Sequence, residues 1–240
     1  MSRKTRKTSN PRFPDSYIGS MSNEYNESIW MERNQKMTTS ICIQYLYDKK
    51  LNIIDHGKTE IEENSLLLDI GCGTGFSSEI ISTHGFRVVG VDILKDMLFK
   101  AGEKKRLYSE YRKIEFILAD INYLPLRHMT IDHVLSVSAY NFITHGLLES
   151  KEKEKRINTT AQYLHKILKP LGRIIIEFYP LDEQELNSYI SSFINNGFNG
   201  FLIKKHEKQK SGQTFILKNQ NSGLFFFSYK VFTLIKFFYY

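Results

Sequence analysis

Apolar residues recur along this chain in two rhythms, short unbroken runs and one-sided stripes. The unbroken runs predict strands at 65–70, 86–92, 114–119, 131–138 and 173–179, because a strand covered on both faces keeps no polar side. The stripes predict helices at 75–84, 95–107, 157–169 and 182–195. In the last of these Leu186, Tyr189, Ile190, Phe193 and Ile194 form the stripe, and Asp182 with Glu185 has the spacing of a capping box. "LKPLG" at 168–172 ends the preceding helix with Pro and Gly. Nearer the N-terminus, Trp30, Met37, Ile41 and Tyr45 share one helical face over about 27–48. After Gly197, "FNGFLI" and "QTFILK" flank the basic connector "KKHEKQK" and predict a closing hairpin. Strand alternating with helix implies an α/β domain with a mainly parallel sheet, helices on both faces and the hairpin adding antiparallel strands at one edge.

These patterns divide the chain. Residues 1–16 are basic and polar and read as a disordered arm. Residues 17–64 form an N-terminal helical cap, 65–218 the core, and 219–240 an atypical tail dense in aromatic residues. "KEKEKR" at 151–156 nearly cancels its own charge, which suits a solvated helix start or loop better than an RNA patch. The chain has 240 residues, a hydrophobic fraction of 41% and a formal net charge of +7. That charge favours an anionic partner. Cys42 and Cys72 make neither a disulfide framework nor a zinc site, and none of the His residues has metal-ligand spacing, so no metal is expected. No apolar run reaches the ~18 residues that span a bilayer.

The chemistry lies in "LLLDIGCGTG", 66–75. A Gly-rich turn between a strand and a helix lets a ligand approach the backbone and meet free N–H groups. A dinucleotide turn is one reading, but Phe76 stands where the third glycine of that fingerprint belongs. The spacing is Gly71-x-Gly73-x-Gly75, with Asp69 before it. That acid would repel a pyrophosphate and suits a ligand with cationic character. The second strand ends in Asp92, a candidate acceptor for two ribose hydroxyls. The third gives Asp120, a candidate partner for an adenine amino group, with a plain turn residue as the alternative. Together the three acids describe S-adenosylmethionine rather than NAD. Cys72, inside the turn, belongs to the candidate cofactor-binding set by position, and a small packing residue suits it better than a nucleophile. Ile93, Met97, Ile121 and Ser136, beside the same strand ends, complete the core's share of the candidate cofactor-binding set.

With these residues the chain is similar to the class I S-adenosylmethionine-dependent methyltransferases. More narrowly, over roughly 17–218, it resembles the eukaryotic 18S rRNA (guanine-N7)-methyltransferase family. "YIGSMSNEYNESIWMERNQKMT", 17–38, resembles the family's cofactor-capping segment, with Tyr17, Tyr25, Ser28, Gln35 and Met37 in the recurring places. "LSVSAYNFITH", 135–145, and "EFYP", 177–180, resemble the stretches after its fourth strand and at its fifth. The chain departs from the family at Asn141-Phe142, at Leu94-Lys95 and in 223–240, where the family carries a basic stretch. The resemblance implies a Rossmann-like fold with a seven-stranded, mixed but mainly parallel sheet and an N-terminal helical cap. It implies N7-methylation of a guanosine in 18S rRNA on the pre-40S particle, in the nucleus or nucleolus, with the cytoplasm open. It adds Tyr17, Tyr25 and Gln35 to the cofactor set. It also implies a heterodimer with a small zinc-binding activator protein that pairs with an edge strand, for which the apolar third strand is the candidate. Guanine N7 carries a free lone pair at neutral pH, so no general base is needed. Tyr140, Asn141 and Phe142 are the candidates for positioning the base, with Tyr179 and Pro180 second. A tRNA methyltransferase sharing the same activator, a small-molecule methyltransferase and a non-catalytic ribosome assembly factor remain as rivals.

Overall fold

The computed structural model describes residues 12–48, 61–204, 213–219 and 234–235. Most of the basic arm, the connector 205–212 and most of the aromatic tail lie outside them. The sheet is built from β1 (Leu66–Ile70), β2 (Arg87–Asp92), β3 (Ile114–Leu118), β4 (Ile131–Val137), β5 (Leu168–Phe178), β6 (Phe198–Lys204), β7 (Gln213–Asn219) and the two-residue β8 (Leu234–Ile235). Their order is β3-β2-β1-β4-β5-β7-β6-β8. The first five strands are parallel neighbours. β7 runs antiparallel between β5 and β6, which is the expected hairpin. The seven expected strands are thus present, and β8 adds a short parallel eighth beside β6.

Helices α1 (Ser20–Glu27), α2 (Ile29–Leu46), α3 (Phe76–Thr83), α4 (Lys95–Leu107), α5 (Ser150–Ile167) and α6 (Glu183–Asn195) complete the architecture. Two apolar clusters cover the two faces of the sheet. Val134, Ile174 and Ile176 meet α5 and α6 on one side, and Leu67, Val88, Leu135 and Ile175 meet α2 and α3 on the other. Burial on both faces is why the central strands β1, β4 and β5 carry unbroken apolar runs, whereas the edge strand β3 is only partly buried.

Three local readings are corrected. The buried face of α2 is Thr38, Thr39, Cys42, Ile43 and Leu46, whereas Trp30 and Met37 are 69% and 55% exposed. Thr and Cys carry this face, so residue size misdirects the stripe toward the large apolar side chains. α5 starts at Ser150 rather than at 157, and "KEKEKR" is its mostly exposed first turns, which is the solvated helix start expected of it. "LKPLG" follows the end of α5 at Ile167 as expected, but β5 already begins there and not at 173: Ile131 pairs with Leu168 and His133 with Arg173, so 169–172 bulge out of register. Leu171 takes φ +66° there. In α6 the N-cap half of the capping reading holds, since Asp182 accepts the Glu185 N–H at 2.8 Å, while the Glu185 carboxylate accepts at 2.6 Å from the N–H of Leu181, one residue before the N-cap.

Candidate functional site

β1 delivers Asp69 to the carboxyl end of the sheet and the chain turns at once into α3. Gly71 sits at φ +70°, and a Cβ there would lie 2.2 Å from the Ala139 Cβ at the end of β4. The turn is therefore glycine at this point so that two strand ends can touch. Gly75, at φ +86°, occupies the left-handed conformation that opens α3. Between them the Gly73 N–H donates to Asp92 Oδ2 at 2.9 Å. The Leu94 N–H donates to Asp92 Oδ1 at 2.8 Å, so the carboxylate is held from both ends by backbone.

Asp69 is fully buried. Its Oδ2 accepts from the hydroxyls of Ser77 and Ser78 at 2.7 and 2.6 Å, while Oδ1 is buried with no hydrogen-bond partner. Burial pushes this carboxyl up to about 6; the two serine hydroxyls pull it back and the Asp92 charge raises it further. Burial also raises Asp92, against the backbone N–H groups that lower it. Two carboxyls held in this state favour a ligand that brings donors and positive charge. Asn26 Oδ1, on α1, is a second buried acceptor without a partner. The donor-rich, phosphate-free chemistry of S-adenosylmethionine fits this set, and the glycine turn leaves room for it.

The cap covers the turn with aromatic rings. Tyr25 stacks near Phe76 at the start of α3, 6.2 Å between centroids, and Tyr17 meets Tyr25 edge-on at 5.7 Å. Burial raises both phenols, and Tyr25 also feels the charge of Asp92 and hydrogen-bonds the Gln35 side chain. Tyr17, Tyr25 and Gln35 are thus brought together beside Asp92. The Gly19 N–H donates to the Asp96 carboxylate at 2.6 Å and ties the cap to α4. Tyr17 continues the row to Phe142, 6.1 Å away, on which Phe13 stacks at 4.6 Å.

The remaining candidates divide. Ile93 is 53% exposed immediately after Asp92, and Met97 is buried with its methyl 3.2 Å from where a Gly73 Cβ would sit. Ile121 is buried in a 3-10 turn that Asp120 caps. Asp120 Oδ1 accepts the backbone and side-chain N–H groups of Asn122 at 2.9 and 2.7 Å, and Oδ2 lies 3.9 Å from Arg156. The turn role is the one its geometry displays. Cys72 is buried, and its Sγ would be 3.0 Å from a Cβ on Gly90, so it packs toward β2; burial raises its thiol well above the usual range. The Ser136 hydroxyl donates to the Ile70 carbonyl at 3.0 Å inside the sheet. Tyr140 is a correction: it is fully buried against Tyr189 and Phe193, with centroids 5.7 and 6.0 Å away, and belongs to the core. Asn141 and Phe142 are only partly buried.

Some site residues escape a reading by motif. Lys104 places its ammonium 3.6 Å from the Phe76 ring centroid and donates to the Thr74 carbonyl at 3.1 Å; burial lowers it to about 8. Glu177, 2% exposed, accepts the Ser138 hydroxyl at 2.8 Å and hydrogen-bonds Tyr179, joining the ends of β4 and β5. Ser138 takes φ +56° to do so. The signal in the sequence was a lone acid closing an apolar central strand. Phe13 lay in the segment assigned to disorder. Among the described residues no group of three His, Cys, Asp or Glu could hold a metal, and no helix is long and apolar enough to cross a membrane.

The chain matches the methyltransferase domain family model over residues 68–176. It is 30% identical over 193 residues to the 18S rRNA (guanine-N(7))-methyltransferase of Schizosaccharomyces pombe, covering 78% of this chain and 68% of that protein. It is 27% identical over 188 residues to the 18S rRNA (guanine(1575)-N(7))-methyltransferase of Saccharomyces cerevisiae, covering 78% of this chain and 64% of that one. In fold it is similar to the magnesium protoporphyrin IX methyltransferase of Synechocystis, solved with bound SAM: TM-score 0.57, 16% identity, 86% of this chain and 94% of the other.

Proposed function

Since the chain belongs to the 18S rRNA (guanine-N(7))-methyltransferase family, we propose that it methylates N7 of a guanosine in 18S rRNA with S-adenosylmethionine as methyl donor. The observation that carries this reading is the 30% identity across 78% of the chain. The geometry agrees with it. The cofactor, when bound, supplies a methyl group on a sulfonium. The chain's own part is to bind and to aim. Asp92, braced by the Gly73 and Leu94 N–H groups, keeps lone pairs free for the ribose hydroxyls. The Asp69 Oδ1 accepts from the donor end of the ligand, directly or through water. Tyr17, Tyr25 and Gln35 close over it and exclude solvent. Guanine N7 attacks with its own lone pair, so no side chain has to take a proton. Catalysis then rests on holding N7 in line with the methyl group.

The reading extends to a partner and a compartment. β3 is the outer strand of the sheet, and Leu118 on it is 56% exposed. A strand from a small zinc-binding activator would cover that edge by β-addition. Action on the pre-40S particle would call for the enzyme in the nucleus or nucleolus, with the cytoplasm also open. The test is methylation of purified pre-40S particles by the chain co-expressed with its activator, read by mass spectrometry as 7-methylguanine. Asp92→Ala should weaken cofactor affinity by the loss of charge-assisted hydrogen bonds, ~1.5–3 kcal/mol each. Cofactor binding without 7-methylguanine would point to an assembly factor instead.

A further inference from the structure

We propose that the target guanine stacks on Phe142 in the place Phe13 now takes, with the Asn141 side-chain oxygen accepting from its Watson–Crick edge. The proposal rests on the guanine-N7 reading above and assigns its substrate site. Phe13 lies on Phe142 with centroids 4.6 Å apart and planes 17° from parallel, the arrangement a base adopts on an aromatic platform. His145 meets the same Phe13 ring edge-on at 5.0 Å, and Tyr17 meets Phe142 edge-on. Rings in stacking contact sit ~3.5 Å plane to plane, so no base fits between them and one must leave.

The two rings are not equally anchored. Phe142 stands in a 3-10 turn, Tyr140–Thr144, whose neighbours Tyr140, Ile143 and Thr144 are buried. Phe13 is partly buried, and its segment is closed by local bonds, Arg12 N–H to Ser16 Oγ and Ser16 N–H to the Arg12 carbonyl. Phe13 is the ring that yields. The row Phe76–Tyr25–Tyr17–Phe142 runs from the glycine turn to this platform, so a base on Phe142 lies next to the cofactor cap. Asn141 supplies direction. Its Oδ1 is buried with no hydrogen-bond partner. Guanine presents N1–H and the N2 amino group as donors on the edge opposite N7. An acceptor holding that edge leaves N7 facing the methyl donor, and set against N1 it disfavours adenine, whose N1 is itself an acceptor and whose one donor on that edge is the N6 amino group.

The test uses the full chain co-purified with its activator and a small-subunit rRNA fragment carrying the target. kcat and KM for RNA are read by 7-methylguanine formation, with S-adenosylmethionine affinity by calorimetry as the control for folding. Phe142→Leu should raise KM about tenfold and Phe142→Trp should restore it. Phe13→Leu should act in the opposite sense and lower KM roughly two- to tenfold, because a stacked competitor is removed. Asn141→Leu should raise KM, and Asn141→Asp, which keeps the acceptor, should stay within about threefold of wild type. Cofactor affinity should be unchanged throughout. A raised or unaltered KM in Phe13→Leu, or wild-type KM in Phe142→Leu, overturns the proposal. Cofactor binding by the wild type with no 7-methylguanine overturns the functional reading and this proposal with it.

Discussion

Asp69 is the residue whose state depends most on what occupies the site. Its carboxyl is raised from 3.8 to about 6, so the folded protein binds a proton that the unfolded chain releases. In the free protein this favours folding below pH ~3.8 and is lost as pH rises through about 6. A cationic cofactor reverses the preference, because it pairs with the ionised form. Cofactor affinity should therefore climb from about pH 5 to about pH 7 and level off above, and Asp69→Asn should flatten most of that rise, as calorimetry across pH would show. Asp69, Gly71, Gly73, Gly75 and Asp92 were legible because one strand–turn–helix segment and one strand end define them. Tyr140 was not. Its neighbours Asn141 and Phe142 share its turn, and only the rings of α6 decide which of the three is buried.

At the scale of elements, the turn after β1 carries a second constraint besides its ligand. Gly71 combines a left-handed φ with an approach of 2.2 Å between its would-be Cβ and Ala139, so Gly71→Ala should cost at least ~2 kcal/mol. A lowered denaturation midpoint with unchanged slope would be the signature. The sequence spoke of a ligand at this glycine, and the structure adds a strand end. The central parallel strands were readable because double-sided burial leaves unbroken apolar runs, while β3 kept an apolar run although it lies at the edge and Leu118 is exposed. α2 was misread in its orientation because its inner face is Thr39, Cys42, Ile43 and Leu46, with Trp30 left outside. The bulge in β5 was hidden as well, since Pro170 and Gly172 usually punctuate a helix end rather than interrupt a strand.

For the whole molecule, the sheet has one long, unpaired parallel edge among the described residues, at β3. Phe99, Leu107 and Tyr108 on and beside α4, and Leu118 on β3, are all more than half exposed along this side. If the proposed activator pairs with this edge, Leu118→Lys should weaken its capture in a co-purification while leaving the melting temperature of the isolated chain within about 2 °C, because an exposed position contributes little to the fold. Ile117 is unsuited to that test, since it packs against the core. The bond from the Gly19 N–H to Asp96, finally, bears on how long a ligand under the cap would stay. Gly19 stands between Tyr17 and Tyr25 in sequence, so release of spent cofactor past these two rings would be slowed by the bond that holds Gly19 to Asp96. Asp96→Asn removes the charge but not the acceptor. Stopped-flow measurement should find a several-fold shorter dwell of S-adenosylhomocysteine in that variant, with a multiple-turnover rate that rises wherever product escape is the slow step.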